Sequence, residues 1–181
     1  MASSDFRINV EGRTTDGRTH ATPETDFDHQ KEKTMAMKRH ANVVWKGSLV
    51  EGAGSLDTQS GALSGLPLGF KARFEDESGK TGTNPEELIA GAHAGCFAMQ
   101  LSHMLAGNGT PAEKLDVRAD VTLQPAAGGG FEITKSALTL VGRVPGLDEA
   151  KFIEIAEKAK ASCPVSKALG AIEVTLDAKY G

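Results

Sequence analysis

The sequence predicts an α+β fold, an antiparallel sheet packed on two main helices, and three observations carry the prediction. The stretches 115–124 and 131–141 alternate apolar and polar residues on either side of the glycine-rich run PAAGGG, which reads as a β-hairpin. The stretches 85–105 and 149–161 repeat apolar residues at spacings of three and four, the pattern of helices with one inner side. Strand runs and helices are segregated along the chain, and hairpins imply antiparallel pairing.

Taken in order, residues 1–34 read as an N-terminal extension, disordered or loosely docked, being polar and rich in Thr and Asp. Phe6, Ile8 and Val10 alternate as one short strand would, Asp16-Gly17 is a turn signal, and His20 and His29 lie in solvated surroundings. Residues 35–181 form the main domain. Ala41, Val43 and Trp45 begin it as a strand; Gly47, Gly52 and Gly54 punctuate, with a second short strand between. SGALSGLPLG, residues 60–69, reads as a loop, and FKARFE, residues 70–75, as an alternating strand. Asn84 caps the first long helix, Pro85 takes its first position, Glu87 completes a capping box, and Gly107 and Gly109 end it. Leu88, Ile89, Ala92, Cys96, Met99 and His103 form its inner face. Gly91 and Gly95, each costing about 1 kcal/mol relative to Ala in a helix, leave a flat small-residue surface suited to a close helix crossing. Asp148 caps the second helix, whose inner face is Phe152, Ile155, Ala156 and Ala159. Pro164 ends it and starts a short helix that stops at Gly170, and Ile172, Val174 and Leu176 alternate in a last strand.

The chain has 181 residues, 39% hydrophobic and 24% charged, enough for one domain with a core. A net charge of −4 excludes a broad basic field for nucleic acid. No apolar run approaches the roughly 20 residues that span a bilayer, so no membrane partner is expected. The N-terminus lacks the apolar segment of a secretory signal, which makes the cytoplasm the expected compartment. Two cysteines there are reduced thiols, a metal pair or a catalytic redox pair before they are a permanent disulfide.

Cys96 and Cys163 lie 67 positions apart, so they form neither a CxxC motif nor a zinc ribbon. Cys96 sits mid-helix among small residues. Cys163 sits where one helix ends and another starts, and the free N–H groups of the second would favour its thiolate. A thiolate also needs a nearby positive charge or donors, and Lys71, Arg73, His93, His103 and Lys167 are the candidates. His93, three residues before Cys96, reads first as a histidine packed in a helix interface. A Cys–His hydrolase and a zinc site using both cysteines and a histidine are weaker readings.

TGTNPEELIAGAHAGCFAMQLSHML, followed by KAKASCPVSKAL and a terminal strand, resembles the osmotically inducible protein C and organic hydroperoxide resistance family, and FKARFE upstream fits as well. The wording is closer to the osmotically inducible branch, and the resemblance runs from about Met37 to the C-terminus. It implies an intertwined homodimer with sites at the interface, and a thiol peroxidase that reduces organic hydroperoxides, with hydrogen peroxide a further substrate, in oxidative or osmotic stress defence. On the same resemblance Cys96 is the peroxidatic and Cys163 the resolving cysteine, Arg73 and Glu86 ready the thiolate, no metal or flavin is needed, and the reductant is a dithiol such as a dihydrolipoyl group. An apolar pocket using Phe70, Phe97 and Met99 is expected to hold the alkyl chain. Glu86 and Cys96 are ten residues apart, roughly 15 Å along a straight helix. Either the helix breaks at Gly91 or Gly95, or Glu86 and Arg73 serve the Cys96 of a second chain, which is the favoured arrangement. The competing function is a non-catalytic ligand-binding module on the same fold, with both thiols inert.

Overall fold

The structure, a computed structural model, describes residues 36–181, so the expectations for residues 1–34 lie outside the described residues. Strand β1 (Ala41–Lys46) pairs antiparallel with β2 (Ala53–Thr58), and β2 with β3 (Leu66–Gly69). Gly54, read as punctuation, instead lies inside β2 opposite Trp45; a Cβ there would stand 2.8 Å from the indole ring, so only glycine leaves the ring its place. β3 falls in the segment expected to be a loop. Its Pro67 is tolerated because β3 is an edge strand.

Phe70–Phe74, expected to be a strand, is the short helix α1. Five residues are too few to separate the two periods. Phe70 and Phe74 share one side at either, and their rings pack with centroids 5.0 Å apart across one turn. Asp76 ties off the following loop. Its carboxylate accepts from the N–H groups of Ser78, Lys80 and Thr81 and from the Ser78 and Thr81 hydroxyls. These donors hold it well below the usual carboxylate range.

Helix α2 (Pro85–Gly107) has the expected cap, Asn84 Oδ1 accepting from the Glu87 N–H at 2.8 Å, but the Glu87 carboxylate accepts from the Thr83 hydroxyl one residue earlier, so the capping box is only half formed. It runs unbroken through Gly91 and Gly95. Its buried side differs from the expected one. Glu86, His93, Phe97, Leu101 and Leu105 face inward, while Ala92, Met99 and His103 are exposed, Met99 at 76%. The helix is apolar nearly all round, so spacing alone could not choose between its sides. A Cβ at Gly91 or Gly95 would meet nothing within 4 Å, so none of the described residues covers the small-residue face.

β4 (Lys114–Pro125) and β5 (Phe131–Arg143) form the expected hairpin. Helix α3 (Glu149–Ser162) is capped by Asp148, α4 (Pro164–Ala168) follows at once, and β6 (Glu173–Tyr180) closes the second sheet in the order β4-β5-β6. β6 lies parallel to β5, unlike every other strand pair described, because α3 and α4 carry the chain back to the starting end of β5. The α+β architecture holds, with two three-stranded sheets and α2 and α3 as the main helices. The core lies between the second sheet and these helices, around Phe97, Leu101, Leu138, Leu140, Phe152 and Ile155. Among the described residues no helix is long and apolar enough to cross a membrane.

Two substitutions test this packing. Asn84→Ala should cost about 1 kcal/mol by removing the α2 cap. Gly142→Ala would drive a Cβ to within 2.2 Å of the buried Phe152 ring, and should cost about 1–3 kcal/mol through overpacking. Denaturant unfolding of each variant against the unsubstituted protein reads both values.

Candidate active site

The chain returns to Cys96 through α3 and α4. Two side chains of α2 flank that cysteine, His93 before it and Gln100 after it, and each holds a residue next to Cys163. His93 Nε2 and Ser166 Oγ lie 2.8 Å apart, and Gln100 Nε2 donates to Ser162 Oγ at 3.0 Å. Cys163 stands between Ser162 and Ser166, so these two bonds bracket it, and Cys96 packs on the core cluster that contains Cys163. Both are free thiols, Cys163 buried and Cys96 half-buried, and each acts on the titration of the other.

Burial pushes the Cys96 thiol above its ordinary value, and charge on Cys163 would push it further. The Val165 N–H pulls the other way and does not win. Burial also opposes charge on Cys163. There the N–H and hydroxyl of Ser166, the Cys96 thiol and the Val165 N–H together outweigh it and bring the group below its ordinary value. The sulfur makes no formal capping hydrogen bond, yet its place at the start of α4 gives the thiolate preference expected from the sequence. A single chain therefore puts negative charge on Cys163 more readily than on Cys96. No cation among the described residues acts on Cys96.

Arg73 and Glu86 meet elsewhere, at the junction of α1 with α2. Arg73 Nη2 donates to Glu86 Oε1 at 2.8 Å and Nε to Oε2 at 3.3 Å, a two-point grip that fixes the guanidinium plane. The Arg73 guanidinium also lies 5.0 Å over the Phe74 ring. Beside it opens an apolar pocket of about 190 Å³ lined by Trp45, Leu49, Leu68, Phe70, Arg73 and Phe74. Of the three residues expected in an alkyl pocket only Phe70 lines this one. Phe97 is sealed in the core, and Met99 stands exposed on the open side of α2. Because α2 is continuous, Glu86 and Cys96 are separated by roughly 15 Å of helix. The structure thus brings the four expected site residues together as two pairs and leaves the pairs apart.

His93 turns both ring nitrogens to serines, Ser136 at 2.7 Å and Ser166 at 2.8 Å, and not to Cys96, so the Cys–His hydrolase arrangement does not form. Neither Lys71 nor Lys167 acts on the titration of Cys96 or Cys163, and His103 is exposed. Among the described residues no three His, Cys, Asp or Glu side chains gather as a metal site would require. Gln100, Ser136, Ser162 and Ser166 escaped the sequence reading. The spacing of His93 and Gln100 about Cys96 was the signal for two of the contacts, and long-range folding alone supplies the serines.

A family profile described as OsmC-like protein matches residues 77–177. The chain is 47% identical over 143 residues to the protein named peroxiredoxin OsmC of Escherichia coli, a match covering 79% of this chain and 96% of that one. It is 35% identical over 105 residues to the organic hydroperoxide resistance protein OhrB of Bacillus subtilis, covering 57% and 74%. The crystal structure of an organic hydroperoxide resistance protein OsmC from Legionella pneumophila superposes with a TM-score of 0.65 at 25% identity, covering 80% of this chain and 98% of that one. With its fold, its paired thiols and these matches, the chain belongs to the OsmC family, nearer its OsmC than its organic hydroperoxide resistance branch.

Proposed function

We propose that this protein, a peroxidase-type oxidoreductase by its family, reduces organic hydroperoxides, with hydrogen peroxide a further substrate, in oxidative or osmotic stress defence. The observation that carries the proposal is the thiol pair: Cys96 and Cys163, distant in sequence, are held face to face. The Cys96 thiolate attacks the terminal oxygen of the peroxide. An S–O bond forms, the O–O bond breaks, and the alkoxide takes a proton and leaves as the alcohol. The Cys163 thiol then displaces water from the Cys96 sulfenic acid, giving a disulfide that guards against overoxidation. A dithiol, of the dihydrolipoyl type, reopens it by exchange.

The guanidinium that lowers the Cys96 pKa and receives the charge growing on the leaving oxygen is Arg73, held by Glu86. With α2 unbroken, Arg73 and Glu86 serve the Cys96 of a second chain in a homodimer. Three observations support this arrangement. Among the described residues no cation acts on Cys96. None of the described residues covers the Gly91–Gly95 face. Val43, Val44 and Trp45 of β1 and Met99 of α2 are exposed apolar groups. The pocket beside Arg73, walled by Trp45, Leu68 and Phe70, suits the alkyl part of an organic hydroperoxide.

Intact mass after one equivalent of an organic hydroperoxide should fall by about two units per chain as the disulfide forms. The loss should vanish in Cys96→Ser and be replaced by oxygen gain in Cys163→Ser. No mass change, with both thiols still alkylatable after unfolding, would leave a non-catalytic binding module instead. Arg73→Lys should lose about a hundredfold in peroxide turnover, since an ammonium cannot copy the planar fork.

Co-expression tests the shared site. Arg73→Ala and Cys96→Ser chains are each inactive alone. Mixed dimers carry one intact site, restoring about a quarter of the wild-type activity if Arg73 serves across the two-fold axis. Sites built within one chain would restore nothing.

A further inference from the structure

His93 is fully buried, and so is Ser136, one of its two partners. An apolar side chain would fill the same space without any polar group to satisfy. Burial holds the imidazole below its ordinary value, so it is neutral, with one N–H and one lone pair. Two hydroxyls on such a ring leave two arrangements. In one, Nδ1–H donates to Ser136 and Ser166 spends its proton on Nε2. In the other, Ser136 donates to Nδ1, Nε2–H donates to Ser166, and the Ser166 proton is free. Cys163 is the cap of α4 and Ser166 its third residue, which places the two side chains one turn apart at the start of the same helix. The free proton is therefore available to the Cys163 sulfur, and the Ser166 hydroxyl does act on that thiol.

We propose that His93 is a positioning residue for disulfide formation: its Nε2–H donates to Ser166 and thereby turns the Ser166 O–H onto the Cys163 sulfur. The inference rests on the reading of Cys163 as the resolving cysteine. In that step the Cys163 thiolate attacks the sulfur of the Cys96 sulfenic acid, the S–S bond forms and the S–O bond breaks. The departing hydroxide takes the proton that Cys163 gave up, so that thiol plus sulfenic acid becomes disulfide plus water. Cys163 sulfur is oxidised and the sulfenic sulfur reduced. The Ser166 proton stays on its oxygen throughout; it stabilises the attacking thiolate and aims it. His93 thus acts through Ser166 on the second chemical step and leaves the first alone.

Single-turnover kinetics separate the steps. Hydroperoxide loss reports the first, and mass spectrometry of quenched samples, with sulfenic acid trapped by dimedone, reports the second. In His93→Leu and Ser166→Ala the disulfide should form about tenfold more slowly, with the first step unchanged and sulfenic then sulfinic acid accumulating. His93→Gln carries an amide N–H at the place of Nε2 and should recover to within about threefold of wild type. Ser166→Ala removes one oxygen and tests the inference even if His93→Leu does not fold. Disulfide formation at the wild-type rate in Ser166→Ala, or a His93→Gln protein as slow as His93→Leu, would overturn it. A wild-type protein that consumes hydroperoxide without forming the disulfide would overturn the resolving role itself. That failure is distinct, because it appears before any substitution is made.

Discussion

Glu86 and Cys96 stand ten positions apart on one unbroken helix, and much of the rest of the site is arranged around that fixed distance. A helix cannot shorten it, because each residue adds about 1.5 Å of rise. Gly91 and Gly95, the two positions where a kink would be cheapest, keep helical geometry. The rigidity has a second effect. Three positions apart with one helical pitch governing both, His93 and Cys96 sit on neighbouring faces. The side that buries His93 against Ser136 and Ser166 then carries Cys96 to the edge of the core, half exposed. The core fixes the depth of the thiol by fixing the roll of the helix.

The same helix divides the chain's chemistry in two. Its first turn holds Glu86 against Arg73 and the apolar pocket; its middle holds Cys96 against the start of α4. Neither half is a complete peroxidase centre. The first has a cation and an apolar cleft without a thiol, and the second has thiols without a cation. Electrostatics makes the gap concrete, since within one chain burial keeps Cys96 protonated while the turn into α4 favours charge on Cys163. A peroxidatic thiolate requires the opposite order. Bringing a guanidinium to Cys96 would favour the thiolate there and, because each thiol acts on the other, disfavour charge on Cys163; the separated halves and the face of α2 left open by the described residues favour the same two-chain arrangement.

How much of this was legible in the sequence depended on how local the cause was. The Asn84 cap, the Asp148 cap and the hairpin are written in a few adjacent residues and appear where the spacing puts them. Phe70–Phe74 failed as a strand because five residues satisfy both periods, and only its packing decides between them. The inward side of α2 was misread for a different reason. A helix with small or apolar residues on every side carries no moment, and its roll is set by Phe97, Leu101 and Leu105 meeting the second sheet. The parallel placement of β6 was invisible because a crossover depends on where α3 and α4 pack, not on the alternation within the strand. The four expected site residues were named by family resemblance, but the serines that bond His93 and Gln100 come from β5, α3 and α4, brought there by the fold.

Those serines bear on what kind of site this is. A buried histidine between two hydroxyls is stable only while all three groups are satisfied, and a half-paired network is worse than an apolar core. Here every group is paired: among the described residues no buried side-chain polar atom lacks a partner. The network also costs more in desolvation than a leucine in the same space would. What it supplies in return is direction. Apolar packing can bring Cys163 near Cys96 but cannot orient a donor toward sulfur, whereas the imidazole accepts from one side only when it donates from the other. Ser136, far from either thiol in sequence, thereby takes part in setting which way the Ser166 hydroxyl points. The geometry of the thiol pair is thus fixed twice, once by the core that rolls α2 into place and once by a hydrogen-bonded chain running from β5 through α2 to the cap of α4.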